Sequence, residues 1–346
     1  MATQTTRVRW GAVALFVVLA YGLAWLAALP LWLSDLSAPS TQILSAILAP
    51  VMMLTPAIAT IIVVFVMRAP RTHRARFLGL WPLRPAKRVV WLTVAALFGS
   101  IAIGFASVAV AALLGWVELD LVNFSGFVAL NEAALPAGME ASVLPPAGLL
   151  IAVQIALMPI AAILPNSLLA FGEELGWRGW LLPALRPLGT WPALLLSGAI
   201  WGVWHAPLTL LGHNYGLFDW RGVALMTVNC VLWGVLFGWL RLRSGSVWPA
   251  VIAHGALNTT GGLVMLFAAV GSEVRVELVT VAGAAGWIVV ALIVLVLTLT
   301  GQLRIQPELA PARNELPRNA PVRHDPEHNE PERTEPADNA PATTDL

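Results

Sequence analysis

Long apolar runs, each near the length that crosses a bilayer, decide what this 346-residue chain can fold into. A hydrocarbon core needs roughly 20 apolar residues of α-helix. The runs lie near 10–33, 43–67, 89–116, 148–171, 190–212, 222–240, 247–270 and 279–301. They predict an all-α fold, a polytopic membrane helix bundle of about eight transmembrane helices. Composition agrees: 11% of the residues are charged, where a soluble domain carries roughly 25%. The net charge of +1 gives no footing for nucleic acid, so the lipid bilayer is the expected partner. The single Cys230 excludes an internal disulfide and a cysteine metal cluster, and reads as a small hydrophobe.

Positive charge sets the expected orientation. Of the 20 basic residues, all but Arg221 and Arg275 fall on one side when an even number of spans alternates across the membrane. Arg68, Arg71, Arg74, Arg76, Arg84, Lys87 and Arg88 crowd one connection, and Arg241 with Arg243 sits in another. A multi-pass protein of the cell membrane with both termini cytoplasmic is expected, and a bacterial source. The outer connection near 117–147 carries Glu118, Asp120, Glu132 and Glu140 and no base. Residues 1–301 form the membrane domain. Residues 302–346, rich in Pro, Glu and Arg, cannot bury enough apolar surface to fold and are expected to be a disordered cytoplasmic tail.

Against this background three polar clusters need a reason, because an ionisable group inside a membrane is costly and is a functional candidate by default. The first is Glu173-Glu174 with Arg178. On a helix Glu174 and Arg178 share a face at i and i+4, while Glu173 is turned by about 100°. A structural ion pair plus one carboxylate left for proton transfer follows. A neutralised pair of acids at a helix end is the blander alternative. The second is Trp201 and His205, with Pro207 removing the hydrogen bond to the Val203 carbonyl and kinking the helix. The third is His254 and Asn258, four apart on one face, behind Ser246 as a cap and Pro249 in the first turn. Gly255, Gly261 and Gly262 allow close helix approach nearby. Each histidine alone reads equally as an interhelical hydrogen bond. Together, a carboxylate, two imidazoles and an amide suffice to activate water.

In order and spacing these clusters resemble the CPBP family of intramembrane proteases, also called Abi or CAAX-protease-like. Its motifs are E-E-x-x-x-R, F-x-x-x-H and H-x-x-x-N/D, and the likeness spans about 148–270. Trp201 stands where the family's usual residue is phenylalanine, which keeps an aromatic wall and alters pocket shape more than chemistry. The resemblance implies a membrane-embedded peptidase, a hydrolase commonly taken in the family as a metalloprotease, acting on a membrane-associated peptide or protein in CAAX-type processing or in bacteriocin processing or immunity. It implies Glu173 as the base that activates water, helped by His205. His254 and Asn258 would donate to the oxyanion, with Glu174, Arg178 and Trp201 supporting. In a zinc version Glu173, His205 and His254 would be the metal ligands, and in a glutamate version no cofactor is needed. The alternative class is a non-catalytic membrane scaffold or a proton- or ion-coupled transporter. Counting about 1.5 Å per residue from the basic side puts Glu173, His205 and His254 at three different depths. A tilt, a kink at Pro207 or an extension of the fourth helix is needed to bring them together.

Overall fold

The computed structural model describes residues 7–136, 138–139 and 143–304. The tail expected after residue 302 therefore lies, beyond Arg304, outside the described residues, as does Glu140. Each apolar run becomes a helical segment: α1 (Trp10–Trp32), α2 (Pro39–Val66), α3 (Ala86–Leu113), α4 (Ala147–Leu188), α5 (Thr190–Trp204), α6 (Trp220–Ser244), α7 (Trp248–Thr260) and α8 (Val276–Leu299). Among the described residues no strand forms, only an isolated bridge between Leu119 and Ala268. The fold is the expected all-α bundle of a multi-pass membrane protein. Six segments are long and apolar enough to cross by themselves. The other two, α5 with 15 residues and α7 with 13, are short, so the count of about eight spans is approximate.

Loop contacts sort the chain into two faces. On the basic face Arg9 donates to the carbonyls of Met67 and Arg68. Trp180 Nε1 donates to Ala69 O at 2.7 Å, and Val247 N and Ser246 Oγ both donate to Gly79 O. On the other face Asp120 N donates to Phe267 O and Ala269 N to Glu118 O, each at 2.8 Å. Trp32 Nε1 reaches Pro207 O there, and Tyr215 reaches Ala282 O. These pairings are those of a chain that changes sides with each segment.

Water does not drive helices together inside lipid, so close packing and buried polar contacts must. The bundle centre is aromatic: Trp177, Trp180, Trp201, Trp204, Trp233, Phe16 and Phe237 are all buried. Phe16 of α1 stacks on Trp180 at 4.9 Å and meets Trp177 edge-on at 5.6 Å, contacts worth about 0.5–1.5 kcal/mol each beyond burial. α5 lies on α6 through Gly202, where a Cβ would strike the Thr227 backbone. Gly255 of α7 likewise abuts Ala162 O, whereas Gly262 faces open space and brings no helix closer.

α4 is not regular. Pro165 has no N–H to give the helix, and the turn Ala162–Asn166 widens to π geometry. Asn166 Nδ2 then donates to Ala161 O at 3.0 Å and Ser167 Oγ to Ala162 O at 2.6 Å, re-satisfying carbonyls that lipid cannot. A second wide turn, Leu175–Leu181, follows the glutamates. Arg241, read from sequence as a loop charge, is instead 0% exposed within α6. Its Nε donates to Arg178 O at 3.1 Å and its Nη2 to Phe77 O at 2.8 Å.

Candidate active site

The depth mismatch resolves in the helices themselves. α4 runs on to Leu188, which puts Glu173 about 20 Å of helix from that end. His205 follows the last residue of α5, a similar distance from Thr190. α7 begins recessed instead of at the surface. Ser244, Ser246 and Val247 are buried, capped by Gly79 and Leu80, and Trp248 N takes the Ser246 hydroxyl as its cap. His254 thereby reaches the level of Glu174. The chain also breaks at His205, where Ala206–Thr209 starts a new short helix, as Pro207 requires.

The two adjacent glutamates have opposite environments. Glu174 Oε1 accepts from Arg178 Nη1 at 2.8 Å and from His254 Nδ1 at 2.9 Å, with all three residues buried. Glu173 has no cationic partner among the described residues. Its Oε2 accepts from Trp201 Nε1 at 2.6 Å and from Trp177 Nε1 at 3.3 Å. The Trp201 ring lies 5.3 Å from the His254 ring and 5.9 Å from that of His205, centroid to centroid. The Arg178 guanidinium sits 4.2 Å from the Trp201 ring centroid.

His205 Nδ1 is 3.0 Å from Trp201 O. A carbonyl only accepts, so that nitrogen carries the hydrogen and Nε2 keeps its lone pair. His254 likewise turns Nδ1 to a carboxylate and leaves Nε2 free. Glu173, Glu174, Arg178, Trp201, His205 and His254 thus form one connected cluster. Asn258, one turn beyond His254, is exposed and outside it. Sequence reasoning missed Trp177, whose i+4 spacing from Glu173 was the available signal. It also missed Phe237, stacked on His254 at 5.6 Å, and Cys230, 3.8 Å from His205 Nδ1, for which no pattern existed.

Among the described residues no three His, Cys, Asp or Glu side chains gather as a metal-holding set. Trp201 touches both imidazoles, and Glu173 turns its Oε2 to indole donors. As placed, Glu173, His205 and His254 do not fit a zinc ion.

Residues 152–260 match the family model described as type II CAAX prenyl endopeptidase Rce1-like. This segment is similar to the CAAX-protease-like family that the three motifs resemble. Glu173, Glu174, Arg178, Trp201, His205, His254 and Asn258 all fall inside the matched segment. A curated relative, CAAX prenyl protease 2 of Methanococcus maripaludis, is 30% identical over 93 residues. The aligned stretch covers 25% of this chain and 34% of that protein, so the chain spans about a third of the length of the relative it matches.

Proposed function

We propose that this protein is an intramembrane endopeptidase that hydrolyses a peptide bond of a membrane-associated peptide or protein with water activated by Glu173. The observation that supports it is the division between the two carboxylates. Glu174 is neutralised by Arg178 and His254, whereas Glu173 is fixed by indole N–H groups that leave it without a counter-cation. A general base needs such a carboxylate, positioned but not consumed by an ion pair.

In this reading Glu173 takes a proton from water as the oxygen attacks the scissile carbonyl carbon, and the carbonyl electron pair moves to oxygen. Glu173 then returns the proton to the amide nitrogen as the C–N bond breaks, giving acid and amine. His205 Nε2 accepts from the same water and orients it. His254, held through Nδ1 by Glu174, stands beside the oxyanion and in its imidazolium form donates to it through Nε2. The substrate lies at the basic face, which faces the cytoplasm together with both termini. The CAAX prenyl names of the family model and the relative make a prenylated C-terminal peptide the first substrate class to assay.

The test is cleavage of prenylated and unprenylated membrane peptides by detergent-purified protein, wild type against Glu173→Gln, with metal content assayed on the same samples. Cleavage lost in a variant that melts like wild type supports the reading. Equal cleavage by both removes Glu173 as base, and a stoichiometric metal that activity requires removes the metal-free mechanism.

A further inference from the structure

A second site lies on the basic face. Val66, Met67, Arg68, Arg71 and Arg74 line a cleft of about 450 Å³ just past the last turn of α2. Its backbone is held from several sides. Arg9 donates to the carbonyls of Met67 and Arg68, and Trp180 Nε1 donates to Ala69 O. Arg68 and His73 are in the left-handed region, at φ 49° and 52°, which non-glycine residues adopt only where the surroundings impose it. The cleft is therefore a built turn.

Its charges are uncompensated. Among the described residues no carboxylate pairs with Arg68, Arg71 or Arg74, and the buried Arg74 Nε has no hydrogen-bond partner. The Arg74 guanidinium lies 4.6 Å from the centroid of the Phe65 ring. Phe65 and Val66, 61% and 70% exposed, continue the outward apolar stripe of Ile58 and Ile61 along α2. Cationic forks thus stand at the end of a strip that faces lipid tails. Planar guanidinium donors match phosphate oxygens in pairs, and basic clusters beside a membrane segment attract anionic headgroups.

We propose that the Arg68–Arg71–Arg74 cleft binds a phosphate-bearing anion. An anionic phospholipid headgroup and free phosphate share this chemistry. The apolar stripe, which would carry the acyl chains, favours the lipid.

The experiment adds phosphatidylglycerol, phosphatidylcholine or inorganic phosphate to the full-length protein in detergent and reads retained ligand by native mass spectrometry. Arg71→Gln/Arg74→Gln is compared with Arg84→Gln/Lys87→Gln, which removes equal charge from the same loop. Phosphatidylglycerol should be retained over phosphatidylcholine, and the cleft pair should weaken it by about tenfold or more while the control pair stays within about twofold. Retention of inorganic phosphate, lost in the cleft pair only, would support the anion site and assign it to free phosphate. Equal losses in both pairs, or none in either, would overturn the site in favour of a diffuse basic field. If the cleft pair fails to fold, the exposed single change Arg71→Gln decides by the same comparison.

Discussion

Trp201→Phe isolates the bond on which the proposed mechanism most depends. Phenylalanine is the usual residue of the resembling family here, so the change is mild in shape and keeps a ring near both imidazoles and Arg178. It removes the indole N–H that sits 2.6 Å from Glu173 Oε2. Hydrogen bonds to charged groups are worth about 1.5–3 kcal/mol, and 1.4 kcal/mol is a factor of ten, so turnover should fall about 10- to 150-fold. The loss of indole volume adds its own cost, which Trp177→Phe controls. That residue is equally buried but donates at a long 3.3 Å, beyond the usual range of about 2.7–3.2 Å. Trp177→Phe should therefore lose less than about fivefold, the share of a weak bond and a cavity. The assay is single-turnover cleavage with a detergent melt on each sample. If Trp201→Phe cleaves as fast as Trp177→Phe, the indole does not position the base and the reasoning is wrong.

Further outcomes follow from the same geometry. Glu174→Gln leaves Arg178 buried without its counter-charge, which costs about 3–5 kcal/mol; the melt should drop well below that of Glu173→Gln, and equal melts would contradict the bracing role. Arg241→Met strips the donors from the carbonyls of Arg178 and Phe77, at about 1–3 kcal/mol for each buried acceptor left unpaired. Protease nicking of the 77–80 loop should rise with it, and an unchanged digest would count against the tether. On the opposite face, the Asp120 carboxyl is held near 2, down from 3.8, chiefly by the Asn123 N–H and then by the Ser125 side chain. A folded value below the unfolded one means this support is complete above 3.8 and lost as pH falls through about 2. The Val122 and Asn123 amide NMR signals should titrate with a midpoint near 2; a midpoint at the ordinary carboxylate value would rule the loop hydrogen bonds out.

Much of this was legible in the sequence because lipid imposes simple rules. Apolar runs of bilayer length became α1 to α8, and the i,i+4 spacing of Glu174 and Arg178 became a 2.8 Å ion pair. What stayed hidden depends on contacts between segments. Hydropathy extends through the apolar turns after His205 and Thr260, so α5 and α7 looked longer than they are. The recess of α7 is set by Gly79 and Leu80, far away in sequence. Arg241 looked like a juxtamembrane cation because a charge near a helix end carries no mark of what lies above it. Trp201 was legible as an aromatic and illegible as a donor, since only the position of Glu173 gives its N–H a function.

The neighbouring glutamates have different surroundings. Two carboxylates about 100° apart on one helix face different helices, so one residue step gives them different partners. Glu174 meets Arg178 from its own helix and His254 from α7, both through Oε1, while its buried Oε2 has no hydrogen-bond partner among the described residues. Glu173 meets indoles from α4 and α5, donors that orient a carboxylate without adding a formal charge. With Arg178 as the fixed cation, Glu173, Glu174, Arg178 and His254 reach zero formal charge with one further proton, carried by His254 or by Glu173. In the proposed mechanism, a proton on His254 gives its second nitrogen a hydrogen to donate to the oxyanion.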